Sequence, residues 1–136
     1  MKKKIAALST TMCSLALAIS ISSPAQAVEP EYRDCETTGA QGDVVIKNWH
    51  GPGTTVTITI SVADLAADNR QVRVRFISKN THGSIKYWPW RANNDGSGTR
   101  KTWTTTASDS AGIFDGGVQV GRFSGSTMVN NCAAWT

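Results

Sequence analysis

Thr55-Val56-Thr57-Ile58-Thr59-Ile60-Ser61-Val62 places an apolar side chain at every second position and a hydroxyl at every other one. Successive side chains of a strand point to opposite faces, so Val56, Ile58, Ile60 and Val62 share one face and the hydroxyl row takes the other. A strand with one wet face belongs to an antiparallel sheet laid on a single core. Gln71 to Ile77 repeats the pattern, with Val72, Val74 and Phe76 inward and Gln71, Arg73 and Arg75 outward. Further β-compatible runs are Val44 to Trp49, Ser84 to Trp90, Arg100 to Thr106, Val118 to Phe123 and Thr127 to Cys132. Between them stand turn clusters such as His50-Gly51-Pro52-Gly53, Asn80-Thr81-His82-Gly83 and Asn93-Asn94-Asp95-Gly96. The spacing predicts an all-β fold: a single small antiparallel β-sandwich, Greek-key-like, of about seven short strands. Ala63 to Asn69 is too short for a substantial helix and reads as a helical turn or a loop crossing between sheets. The polar, acidic Val28 to Asp43 reads as an irregular lead-in.

The first residues carry the three parts of a secretory signal peptide. Lys2-Lys3-Lys4 is cationic, Ile5 to Ile19 is apolar, and Ala25-Gln26-Ala27 is a small-residue cleavage site. The expected division is 1–27 as signal peptide and 28–136 as one secreted domain. Cleavage would remove Cys13 and three of the 14 basic residues, leaving 11 against 10 acidic ones. The basic balance of the whole chain therefore belongs largely to the leader, which argues against a nucleic-acid binder. Cys35 and Cys132 remain, and an even count in an exported domain reads as one disulfide. With both committed, neither a thiol nucleophile nor a cysteine-rich zinc site is expected, and no cofactor or metal is called for.

Ile85-Lys86-Tyr87-Trp88-Pro89-Trp90-Arg91 is the stretch a plain β-domain does not require. Continuous strand parity groups Ile85 with Tyr87, and Lys86 with Trp88 and Trp90. It likewise groups Lys101, Trp103 and Thr105. Pro89 lacks an amide donor and belongs at a sheet edge or a bulge. From Arg70 to Lys101 there are eight basic residues and one acid, Asp95. The functional expectation is an aromatic and basic surface of Trp88, Trp90, Arg91, Lys86, Trp103, Arg73 and Arg75. Flat rings stack on the apolar faces of sugars while cations hold anionic groups, which suits an extracellular polysaccharide or wall polymer. The competing expectation packs these tryptophans into the core and solvates the cations.

The remaining chemistry is thinner. His50 and His82 fall in loops and could meet Asp109 or Asp115 and a serine, but no nucleophile-elbow motif supports catalysis. Asp64 and Asp68 resemble a carboxylate pair, with capping and crossing-loop roles as the plainer reading. Asn93-Asn94-Asp95 misses the spacing of an EF-hand calcium loop and is explained as a turn. Trp49 and Trp135 read as structural, either able to plug an end of the sandwich.

With its cleavage tripeptide, its two terminal cysteines, Val72-Arg73-Val74-Arg75, Tyr87-Trp88-Pro89-Trp90 and Gly117-Val118-Gln119-Val120, the chain resembles small exported proteins of actinomycetes. The resemblance spans the part after Ala27 and implies no activity and no catalytic residue. Trp90-Arg91 is similar to the Trp-Arg-Tyr triplet of the tendamistat-type amylase inhibitors, but Ala92 stands where the tyrosine would be and the second disulfide is missing. That function does not come with it. The expected function is therefore a secreted, non-catalytic binding protein for a glycan or wall polymer. Its rivals are an inhibitor of a secreted enzyme, presenting the Trp-Pro-Trp-Arg segment or the His50 turn as a protruding loop, and a small secreted hydrolase.

Overall fold

Residues whose side chains alternate between core and water form strands throughout the computed structural model, which describes residues 26–136. The expected signal peptide thus falls outside the described residues except for Gln26 and Ala27. The strands are β1 (Glu31–Thr37), β2 (Ala40–Lys47), β3 (Val56–Asp64), β4 (Gln71–Lys79), β5 (Ile85–Tyr87), β6 (Arg91–Asn93), β7 (Arg100–Ala107), β8 (Asp115–Ser124) and β9 (Thr127–Trp135). No helix occurs among the described residues, and all pairings are antiparallel.

Two sheets pack face to face. One has the order β1-β2-β3-β7, and the other runs β5-β4-β8-β9 with β6 beside β5 on the same edge of β4. The alternating residues meet between them as expected: Val56, Ile58, Ile60 and Val62 face Val72, Val74 and Phe76, joined by Val44, Ile46, Val118 and Val120. The hydroxyl row of β3 lies on the outer face, where Thr57, Thr59 and Ser61 stand opposite Thr106, Thr104 and Thr102 of β7.

One side of the sandwich is pinned. Cys35 on β1 and Cys132 on β9 form a disulfide, with Cα atoms 6.0 Å apart at a sequence separation of 97. Closing a loop of that length removes unfolded-chain entropy worth about 4 to 5 kcal/mol. Beside the bridge the sheets approach closely: a Cβ added to Gly42 would lie 2.5 Å from Val120 Cγ2 and 2.7 Å from the Ser61 carbonyl oxygen.

Three expectations change. The lead-in is a strand: β1 pairs along its length with β2 around a two-residue turn, Thr38-Gly39, and Gly39 takes φ +80°. Ala63 and Asp64 extend β3, and 65–70 crosses to the other sheet as a loop. Asp64 and Asp68 serve that crossing. Asp64 Oδ1 accepts from Ala66 N at 3.1 Å, and Asp68 accepts from Arg70 N at 3.0 Å and from Arg122 Nη1 at 2.8 Å. The third change concerns the aromatic stretch, which is two strands separated by a break.

Candidate functional site

Pro89 decides where the tryptophans go. Tyr87 stands opposite Ile77 and Arg91 opposite Val74, so Trp88, Pro89 and Trp90 fill a span that Arg75 and Phe76 fill on β4. Three residues against two is a bulge, placed where proline has no N–H to offer the ladder. Trp88 N still donates to Phe76 O at 3.1 Å, and one residue later the pairing lapses. The extra residue reverses the parity of the chain beyond it. Trp88 points inward, while Trp90 comes level with Arg75 on the outer face. The expected grouping of Lys86, Trp88 and Trp90 is thereby corrected: Trp90 shares a face with Tyr87.

The inward tryptophan is packing. Trp88 lies against Phe76, ring centroids 5.7 Å apart, and its Nε1–H donates to the buried Ser78 Oγ at 2.9 Å. Lys86 Nζ sits 4.3 Å from its ring centroid and pairs with Asp109 at 2.9 Å. Trp103 is also inward, opposite Ile60 and half-buried against the core. Four of the seven expected surface residues, Lys86, Trp88, Arg91 and Trp103, therefore belong to the inner row at the open side of the sandwich, between β7 and the β5–β6 edge.

The other three meet on the outer face of the β4 sheet. The Arg75 guanidinium lies 4.2 Å from the Tyr87 ring centroid and 4.3 Å from that of Trp90, held between two aromatics. Its Nε donates to Gln119 Oε1 at 2.7 Å, and Gln119 Nε2 donates to Asn131 Oδ1 at 3.1 Å. Trp90 meets Phe123 edge to face at 5.2 Å, and Arg73 covers the Phe123 ring at 4.1 Å. Arg73 Nη2 donates to Gly125 O at 3.1 Å and its Nε to Gln71. The result is a continuous layer, Tyr87–Arg75–Trp90–Phe123–Arg73, with Tyr87 55% exposed. Trp135 joins it at one side with Lys79 Nζ 4.1 Å from its ring centroid, so it lies on a sheet face and does not plug an end. Trp49 is the half-buried plug, donating from Nε1 to Ile113 O at 3.1 Å.

Charge sharpens this surface. Five of the eight cations between Arg70 and Lys101 have acids from elsewhere in the chain or the same loop: Arg70–Asp68, Lys79–Asp115, Lys86–Asp109, Arg100–Asp43 and Lys101–Asp95. Among the described residues Arg73, Arg75 and Arg91 have no carboxylate within 4.0 Å. Two of those three are the ring-stacked pair. Burial lowers the Arg75 pKa from its usual value, with Tyr87 acting the other way, and a guanidinium starts high enough to stay protonated. Two of the three uncompensated charges of the window thus lie in this layer, in which Tyr87 is exposed, Trp90 half-buried and Phe123 buried.

Tyr87 and Phe123 are members of the layer that sequence parity does not single out. Phe123 is visible in the sequence only as a strand residue, since its proximity to Trp90 depends on β4–β8 register. His50 and His82 are exposed in separate loops, whereas Asp109 and Asp115 are held by Lys86 and by Lys79 and Thr136. Asn93 is buried, donates to Thr99 O at 3.0 Å and accepts from Asp95 N at 3.0 Å, which builds the 93–99 turn. Among the described residues no group of three or more His, Cys, Asp and Glu side chains is placed to hold a metal ion. The Trp88–Arg91 segment runs between β5 and β6, each of which pairs with β4, along the edge of the sheet. Compared with known proteins, the chain matches no family model and no curated protein.

Proposed function

We propose that this chain is exported and acts outside the cell as a non-catalytic binding protein, taking an anionic polysaccharide or wall polymer on the outer face of the β4 sheet. The disulfide suits an oxidising compartment, and among the described residues no helix is long and apolar enough to cross a membrane. The observation that carries the reading is the pair Arg73 and Arg75, neither opposed by a carboxylate among the described residues and both held against aromatic rings. Rings this close to fixed cations offer a sugar its apolar stacking partner and its acidic group a counter-charge at once. Prior ordering of both guanidinium groups by Gln71, Gln119 and the rings lowers the entropy lost on binding.

Retention of the 28–136 chain in gels containing polygalacturonate, with dextran as the neutral control, tests this. The wild type should be retarded by the acidic polymer alone, less so as salt rises, because exposed charge pairs are screened. Arg75→Gln and Trp90→Ala should each reduce retention about tenfold, or roughly 1.4 kcal/mol. Equal mobility of wild type and both variants across several acidic and wall polymers would remove the reading.

A further inference from the structure

The side of the sandwich opposite the disulfide is open, and it carries a feature that the outer-face platform leaves unused. Between β7 and the β5–β6 edge lies a slot of ≈ 200 Å³, lined by Ile58, Ile60, Phe76, Trp88, Thr105 and Arg91. Its floor is core, its walls are Trp88 and the small Thr105, and at its mouth stands Arg91, exposed and without a carboxylate partner among the described residues. The volume exceeds that of one water, about 30 Å³, several-fold, and matches an aliphatic side chain better than a drug-sized ligand.

Beside the slot runs the free edge of β7. Edge strands are normally blunted by charge, proline, shortness or cover. Three of the edges here follow that rule. β1 carries Glu31, Arg33, Asp34 and Glu36; β5 and β6 are three residues each and are parted by Pro89; β9 is crossed by the disulfide to β1. β7 is eight residues long with no proline, and from Thr102 to Ala107 it has no charge. A strand added to β7 would run across the mouth of the slot, and alternate side chains of that strand would point inward, level with Trp103, Thr105 and Ala107.

We infer that this edge binds an extended peptide, which pairs with β7, sends one aliphatic side chain into the slot opposite Thr105 and offers a carboxylate to Arg91. Main-chain pairing supplies a register, the slot selects an apolar residue, and Arg91 selects an acidic neighbour two residues away on the same face. The site is separate from the platform and does not depend on it.

The probe is a capped, fluorescein-labelled heptapeptide of threonines with a central leucine and an aspartate two residues to either side, titrated against the disulfide-bonded 28–136 chain by fluorescence polarisation. Replacing both aspartates by lysine should weaken binding at least tenfold, and replacing the leucine by serine should do the same. Arg91→Gln, at an exposed position, should erase the preference for aspartate over lysine. Thr105→Leu, which fills the slot, should reduce binding tenfold while thermal stability and retention by acidic polysaccharide stay within error of wild type. If that variant is unstable, the Arg91 variant and the peptide series decide alone. Equal binding of the aspartate and lysine peptides, or self-association through β7 that the leucine peptide does not displace, would overturn the inference.

Discussion

Trp88 and Trp90 are two residues apart, and the bulge at Pro89 gives their truncations different consequences. Trp88→Ala removes a ring packed on the core, loses its contact with Phe76 and leaves the Ser78 hydroxyl, 2% exposed, without its donor. Large-to-small changes at such sites cost about 3 to 5 kcal/mol, and the orphaned hydroxyl adds to that end of the range. Trp90→Ala loses one edge-to-face contact and one cation–π contact on a partly wet face, together about 1 to 2 kcal/mol. A domain of this size holds only about 5 to 15 kcal/mol, so the first variant should sit near the limit of folding and the second well inside it. Urea unfolding followed by circular dichroism, with the disulfide intact, gives both values by linear extrapolation. A Trp90→Ala cost equal to or above that of Trp88→Ala would refute the placement of the two rings, as would a stable Trp88→Ala protein unfolding with the wild-type midpoint.

Other perturbations separate the remaining contributions. Reduction, or Cys35→Ala with Cys132→Ala, should lower stability by about 4 kcal/mol in the same urea assay, since a 97-residue loop is released. Gly42→Ala should cost about 1 to 3 kcal/mol, because its Cβ would press on Val120 and on the backbone of β3 beside the disulfide. The Asp109 carboxyl is held below its ordinary range, first by the hydrogen bond from Lys86 and then by that from Ala111 N. A carboxyl depressed on folding contributes stability that is present above its unfolded pKa of about 3.9 and is lost as pH falls through the lower folded value. Unfolding free energy measured from pH 6 down to pH 2.5 should therefore fall less in Asp109→Asn than in wild type, and parallel curves would contradict the pairing.

Most of the fold is legible in the sequence because the core-forming strands are simple. The alternation in Thr55 to Val62 and in Gln71 to Ile77 fixes which face is inward, and the structure keeps it at every position from Val56 to Val62 and from Val72 to Phe76. β1 is not legible for a physical reason: as an outer edge strand it buries little, so Glu31 to Thr37 shows no apolar period, and its pairing is set by the Thr38-Gly39 turn and by β2. At the candidate site Arg73, Arg75 and Trp90 do meet, yet the sequence groups Trp88, Lys86, Arg91 and Trp103 with them. The bulge accounts for most of that difference. Parity counts residues, and a single extra residue at Pro89 reverses it, which proline announces in the sequence without saying on which side the chain resumes. The cation excess is visible too, but only ion pairing across distant segments reveals that Arg73, Arg75 and Arg91 are the ones left uncompensated.

The central claim is that the ring-held arginines of the outer face, and not the cations of the open edge, meet an anionic polymer. Arg75→Gln and Arg91→Gln remove the same charge from opposite faces of one sheet, and among the described residues neither arginine has a carboxylate partner to leave behind. Gel retention by polygalacturonate should fall about tenfold for Arg75→Gln and stay within about twofold of wild type for Arg91→Gln. Equal losses for the two variants would show that net charge alone is being read, and a loss confined to Arg91→Gln would place the polymer on the opposite face of the sheet.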